Sequence, residues 1–244
     1  MVPPGARSVI SMTAVGIVAR HHTQVMGTHI SFSIFAPADL TRREIGEALG
    51  AAVAELRAVD TAFSPFRPRS LVSAVRRGDL EPGGYPPPLV DILTRCAAMR
   101  AATDGWFDAW APQGGFDPSG LVKGWAVDRA GTLLRLAGIA EFTIWAGTDR
   151  LSYRSHAAEA FALSGTAYPR HGVPRVVDPH TGGPAHSRGP AGVAGSELAI
   201  ANAYAVALNA VGEPGLSWFP TVDGYHAVLV NGQLATNERH LSLA

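Results

Sequence analysis

Strand-type and helix-type patterns share this chain without strictly alternating, and that order narrows the fold more than any other feature. Val9 to Ala19 and Thr28 to Phe35 read as strands, neighbours in one sheet. Thr41 followed three residues later by Glu44 is a capping-box signature. Behind it Ile45, Leu49, Val53, Leu56 and Val59 recur at helical spacing. Residues 63–70 break regular structure. Pro87 and Pro88 suit the first positions of a second helix, which carries Leu89, Ile92, Leu93, Cys96 and Met99 and is ended by Gly105. Asp104 to Gly120 is aromatic, rich in Gly and Pro, and has little periodicity. Leu121 to Leu136 returns to helix, stopped by Gly138. Glu141 to Ala146 is a short strand, and two or three more are expected between Ala157 and Ala194. Ser196 to Val211 is a strong helix, and Tyr225 to Val230 a last strand. Regular alternation would predict a doubly wound α/β fold. This order predicts α+β, one domain of mixed sheets flanked by helices. Residues 1–24 read as an N-terminal tail and first strand, and 25–244 as the domain proper.

Composition excludes several function classes. Apolar residues make up 47% of the 244 positions and charged residues only 16%, enough for a real core and too little charge for general disorder. Net charge is zero, so there is no electrostatic footprint for nucleic acid or an anionic membrane. No apolar run reaches the length of a membrane span. The run from Val9 to Ala19 is broken by Ser11, Thr13 and Gly16 and reads as strand rather than secretion signal, so a cytoplasmic protein is expected. Cys96 is alone, which leaves no intrachain disulfide and suggests a packed core residue. The histidines show no metal-ligand spacing, and Gly-rich dinucleotide, P-loop and Gly-x-Ser-x-Gly motifs are absent.

Positive charge is distributed with a strong bias: nineteen arginines and one lysine. Lys123 lies in Phe116-Asp117-Pro118-Ser119-Gly120-Leu121-Val122-Lys123-Gly124-Trp125-Ala126-Val127-Asp128. Its ammonium is a compact point charge on a flexible stem, which a planar guanidinium does not replace. Chance placement in a lysine-poor chain is the plain alternative. Asp-Pro-Ser-Gly is a turn sequence, and a helix opening just after it presents free N–H groups beside Gly120. Those donors and the ammonium together favour an anionic ligand such as a phosphate. Asp117 reads either as a site residue or as a turn cap. Asp128 reads as a solvated helix face.

Taken in order, the motifs resemble the ApbE family, the FAD:protein FMN transferases, from about Val25 to Val230. Val25-Met26-Gly27-Thr28, Phe63 to Ser70, Asp104-Gly105-Trp106-Phe107-Asp108 and Ala146-Gly147-Thr148-Asp149 are each similar to a family motif. So are Ser164-Gly165 with Tyr168, and Asp178-Pro179 with Thr181-Gly182. The most specific match is Asp117 to Asp128. The resemblance implies that FAD is bound as substrate with Mg²⁺ at its pyrophosphate. It also implies that FMN passes to a Ser or Thr of an acceptor protein, with release of AMP. Met26, Phe66, Trp106, Phe107, Asp108, Asp117 and Lys123 would line the FAD site, and Gly120 would offer its carbonyl to the metal.

Four positions depart from the family pattern. Where its late helix carries an Asp and a Thr as metal ligands, this chain has Asn202 and Val206. Asn202 keeps a neutral oxygen, and Val206 has none. The family's His before Asp-Pro-x-Thr-Gly is Arg175, whose guanidinium is no base near neutral pH, so the catalytic residue is unassigned. His171 and His180 are substitutes to weigh. Thr148 replaces a Gly. Three readings follow: a FAD:protein FMN transferase, a non-catalytic flavin-binding relative without Mg²⁺-dependent transfer, or a repurposed enzyme using the same pocket.

Overall fold

A computed structural model describes residues 7–13, 16–37, 39–80, 83–154, 156–165, 176–185, 189–221, 224–230 and 234–236. Among them one antiparallel sheet runs in sequence order: β1 (Arg7–Thr13), β2 (Gly16–Val25), β3 (Thr28–Ala36), β4 (Glu141–Ala146), β5 (Asp149–Arg154), β6 (Ala157–Ser164), β7 (Ala191–Gly195), β8 (His226–Val230) and β9 (Leu234–Thr236). The helices are α1 (Arg42–Phe63), α2 (Leu71–Arg77), α3 (Pro87–Ala102), α4 (Ser119–Leu136) and α5 (Leu198–Val211), followed by a 3-10 helix over Glu213–Thr221. The fold is α+β, as the element order predicts.

Local signals hold well where capping chemistry sets them. Thr41 caps α1 by accepting from the Glu44 N–H at 3.2 Å, and the Glu44 carboxylate accepts from the Thr41 N–H at 2.8 Å. The apolar stripe Ile45, Leu49, Val53, Leu56 and Val59 is buried. Pro87 and Pro88 open α3 as expected. Cys96 is buried, and loss of hydration pushes its thiol up to about 12, which leaves it inert.

Several expectations are corrected. Val9 to Ala19 is not one strand: β1 ends at Thr13, and Gly16 opens a second strand that continues to Val25. Both halves carry strand-type residues, so pattern alone did not show the reversal. Leu71–Arg77 forms a short helix capped by Ser70, whose hydroxyl accepts from the Ser73 N–H, where no helix is expected. α3 ends at Ala102, before Gly105. β5 forms where no strand is expected, and β9 follows the strand expected to be last.

Side chains alternate across the sheet. Ile30, Phe32 and Ile34 of β3, Phe142, Ile144 and Ala146 of β4, and Leu151 of β5 are buried on one face. α4 and α5 share that core, and α1 packs on α4. Asp149 has the same parity as Leu151, so this carboxylate points inward at the end of the sheet. No helix among the described residues is long and apolar enough to cross a membrane.

Candidate functional site

Two tight hairpins place three of the motifs at one sheet end. Met26 and Gly27 both have positive φ, 52° and 68°, and join β2 to β3 across the Val25–Thr28 pair, the backbone a two-residue hairpin needs. Gly147 (φ 66°) and Thr148 join β4 to β5 across the Ala146–Asp149 pair. The two turns touch: the Gly147 N–H donates to the His29 carbonyl at 3.0 Å. Ser164 ends β6 at this same end, and the Thr148 hydroxyl donates to the Leu163 carbonyl at 3.4 Å.

The centre of the site is Asp149, fully shielded from solvent. One oxygen, Oδ1, accepts from the Leu163 N–H at 3.0 Å. The other, Oδ2, accepts from the Lys123 ammonium at 2.6 Å and from the Asn202 amide Nδ2 at 2.5 Å. The lone lysine is therefore one half of a buried ion pair, with its side chain 31% exposed toward solvent. Sequence reasoning assigned Lys123 to a phosphate and did not foresee this partner, because α4 and β5 are adjacent only in space. Asp149 was recognised as a motif residue but given no role.

Three elements converge on this pair. On α4, Gly120 precedes Lys123 by one turn. On α5, Val206 follows Asn202 by one turn. A Cβ on Gly120 would meet Val206 Cγ2 at 3.3 Å and Phe107 at 3.2 Å, so Gly120, Val206 and Phe107 are neighbours. The residues implied as metal donors are thus brought together, but as an amide that already donates to Asp149, a valine and a backbone carbonyl. Mg²⁺ requires oxygen ligands in near-octahedral order and usually a carboxylate. This donor set does not fit it, and among the described residues no three His, Cys, Asp or Glu form a metal site.

The helix pair is itself held by motif residues. A Cβ on Gly124 would lie 2.4 Å from the Leu198 carbonyl oxygen, so only glycine lets α4 approach the start of α5. One turn on, Asp128 is not a solvated face: its two oxygens accept from the N–H groups of Leu198 and Ala199 at 3.0 and 2.9 Å, capping α5 from a neighbouring helix. Burial pushes the Asp128 carboxyl up to about 6, and the two N–H donors oppose that shift.

The remaining predicted residues surround the Asp104–Gly120 segment. Asp117 is a turn cap, accepting from the Ser119 N–H at 3.0 Å and the Ser119 hydroxyl at 2.5 Å. Arg76 ties this segment to the Phe66 turn by donating to the carbonyls of Phe116 (2.8 Å) and Pro65 (3.2 Å). Phe107 is buried beneath Gly120, while Phe66 is 91% exposed and Met26 half-buried. Asp108 pairs with Arg100 at 2.9 Å. Trp106 meets His180 edge to face at 4.5 Å, and His180 lines a cavity of about 470 Å³ together with Arg100, Asp104 and Asp108. Arg175, His171 and Tyr168 lie outside the described residues. A second cavity of about 440 Å³ between α3, α4 and the start of α5 is lined by Asp91, Arg95, Asp128, Arg129 and Glu197. Two of its arginines are paired, Arg95 with Asp91 and Glu197 and Arg129 with Glu55, and Arg135, which also lines it, lies over the Tyr153 ring.

This arrangement, an antiparallel sheet with motif-bearing hairpins facing the start of α4 and the middle of α5, is the fold of the ApbE flavin transferases. The ApbE family model matches residues 26–113, which is under half of the chain. Three solved structures align over nearly the whole length. The flavin transferase ApbE from Vibrio cholerae is 15% identical with TM-score 0.75, over 95% of this chain and 96% of that one. The ApbE protein from Thermotoga maritima is 18% identical with TM-score 0.73, over 90% and 96%. The Pseudomonas stutzeri flavinyl transferase ApbE is 14% identical with TM-score 0.72, over 96% of each chain. A comparison with curated proteins finds no match. The resemblance read from the sequence motifs is borne out. The stretch that matches the family model ends before Lys123, Thr148, Arg175, Asn202 and Val206.

Proposed function

We propose that this chain is a flavin transferase-type protein that recognises FAD at the sheet end around Lys123. Its reaction would be transfer of FMN to a Ser or Thr hydroxyl of an acceptor protein. The observation that carries this reading is the Lys123–Asp149 pair, joining α4 to β5 directly after the Gly147-Thr148 hairpin, at the sheet end that also holds the Met26-Gly27 hairpin, on an ApbE fold. Asp149 aims the ammonium, and the solvent-facing side of that ammonium retains donors for a diphosphate. At the start of α4 the N–H groups of Ser119, Leu121 and Val122 already donate to Asp117 and Pro118, so the N–H of Gly120 is the one proposed to face the same anion. Met26, Phe66, Trp106, Asp108 and Asp117 are the proposed FAD contacts, and Phe107 supports Gly120 from below.

In the transfer, the acceptor oxygen forms a bond to the FMN-side phosphorus. The phosphoanhydride bond breaks, AMP leaves with the bridging oxygen, and the hydroxyl proton passes to a base. Positioning and charge neutralisation carry such a reaction. Arg175 does not serve as that base, and His180 on the Trp106 side is the proposed imidazole. A protein that acts in this way is proposed to work in the cytoplasm on a partner that presents an exposed Ser or Thr.

Asn202 and Val206 favour a second reading, a flavin holder that binds FAD without cleaving it. Incubation of the protein with FAD, with AMP followed by chromatography, separates the two. AMP release supports transfer. Bound, intact FAD supports the holder, and absence of FAD binding sinks both.

A further inference from the structure

The residues around Asp149 answer a question that the flavin reading, on which this inference rests, leaves open: which cation faces the ligand. We propose that Lys123 is the resident cation of this site, standing in for a divalent metal, and that Asn202 is the residue that locks it there.

The argument starts at Asp149 Oδ2, where the Lys123 ammonium at 2.6 Å and the Asn202 amide at 2.5 Å meet on one oxygen. The remaining oxygen of this carboxylate is held by the Leu163 N–H. Both oxygens of the buried anion are therefore engaged by protein donors. A divalent ion entering here must displace an ammonium from a carboxylate with no solvent exposure. It would then need further oxygens, and Val206 offers methyl groups beside Gly120 where an oxygen is required.

Charge count agrees with the geometry. Lys123 and Asp149 sum to zero, and Asn202 and Val206 add nothing. An Asp at 202 would set a second carboxylate against Asp149 with one ammonium between them, and that repulsion is what a divalent cation relieves. Asn202 turns the repulsion into a hydrogen bond by presenting an N–H. The change from carboxylate to amide thus does more than delete a ligand, because it supplies the donor that closes the site.

The test is a titration of the folded full-length protein with Mn²⁺ alone, read by electron paramagnetic resonance. The wild-type chain is expected to show no stoichiometric Mn²⁺ site, and N202D with V206T to gain one, at least about tenfold tighter than any residual weak binding by the wild type. Stoichiometric Mn²⁺ binding by the wild type overturns the proposal, as does a variant that melts cooperatively yet gains no site. Should that variant fail to fold, FAD calorimetry on the wild type decides. Affinity within about twofold between EDTA and Mg²⁺ supports the resident ammonium, and tightening by about tenfold or more with Mg²⁺ overturns it while upholding the flavin reading. If FAD does not bind in either buffer, the flavin reading fails and the Mn²⁺ titration of the wild type still decides this one.

Discussion

Lys123 shows how much one side chain depends on another far away in sequence. Its ammonium neutralises a carboxylate that has no exposure. K123M would leave Asp149 charged and buried with only the Asn202 amide and the Leu163 N–H as donors. Breaking a buried pair from one side costs about 3–5 kcal/mol. We expect a fall in urea-unfolding free energy of that order together with loss of FAD binding by calorimetry. K123R tests the geometry: it keeps the charge, yet a planar fork does not reproduce a 2.6 Å contact made by a compact ammonium beside the Asn202 amide. FAD affinity unchanged in K123R would refute a role for ammonium shape. The sequence singled out this lysine correctly as unusual, because compositional isolation is visible in one dimension. It did not disclose Asp149, since the pair joins a helix to a strand across the core.

At the scale of elements, α4 and α5 are fastened by two residues one turn apart. Glycine inside a helix ordinarily costs about 1 kcal/mol relative to alanine. In isolation, Gly124→Ala would therefore stabilise α4. The contact reverses the sign: the new Cβ would lie 2.4 Å from the Leu198 carbonyl, which is backbone and cannot swing aside. We expect G124A to destabilise by about 3 kcal/mol or more in chemical denaturation, at the upper end of overpacking effects.

Asp128 adds a pH dependence to the same joint. Its folded-state carboxyl is raised to about 6 from an ordinary 3.8, chiefly by burial, with Glu197 adding and Arg95 and the α5 N–H donors opposing. The folded protein then holds its proton more tightly than the unfolded chain. The stabilising contribution is complete below the ordinary carboxylate value and is lost as pH rises through about 6. D128N removes that titration. Stability curves of wild type and D128N, compared between the two values, should differ in slope by the fall attributed to Asp128. Parallel curves would show that Asp128 binds its proton equally in the folded and unfolded states and would refute the raised value. The motif that contains both residues was legible as a string. The reason for its spacing was not, because the string does not say that α5 begins against this face of α4.

For the whole molecule, a ligand that binds the native state alone stabilises it by mass action. At about one hundred times its dissociation constant, FAD should add about 2.7 kcal/mol. In a chain of 244 residues that corresponds to a rise in Tm of roughly 5–11 °C. Thermal melts with FAD, FMN and AMP compare the parts of the ligand, and a Tm indifferent to all three would count against a flavin site on this fold.

What the sequence determined by itself is local. Thr41 with Glu44 starts a helix, paired prolines open another, and Met26-Gly27 supplies the left-handed backbone of a hairpin. Each follows from interactions within a few residues. The α+β class follows too, since it requires only the order of such elements. The site is different in kind. Lys123, Asp149 and Asn202 stand on a helix, a strand and another helix, and their meeting depends on sheet parity, on the glycine that lets two helices touch, and on a capping carboxylate borrowed from a neighbour. Composition marked the lysine, but only packing decided that its charge is spent first on a buried aspartate.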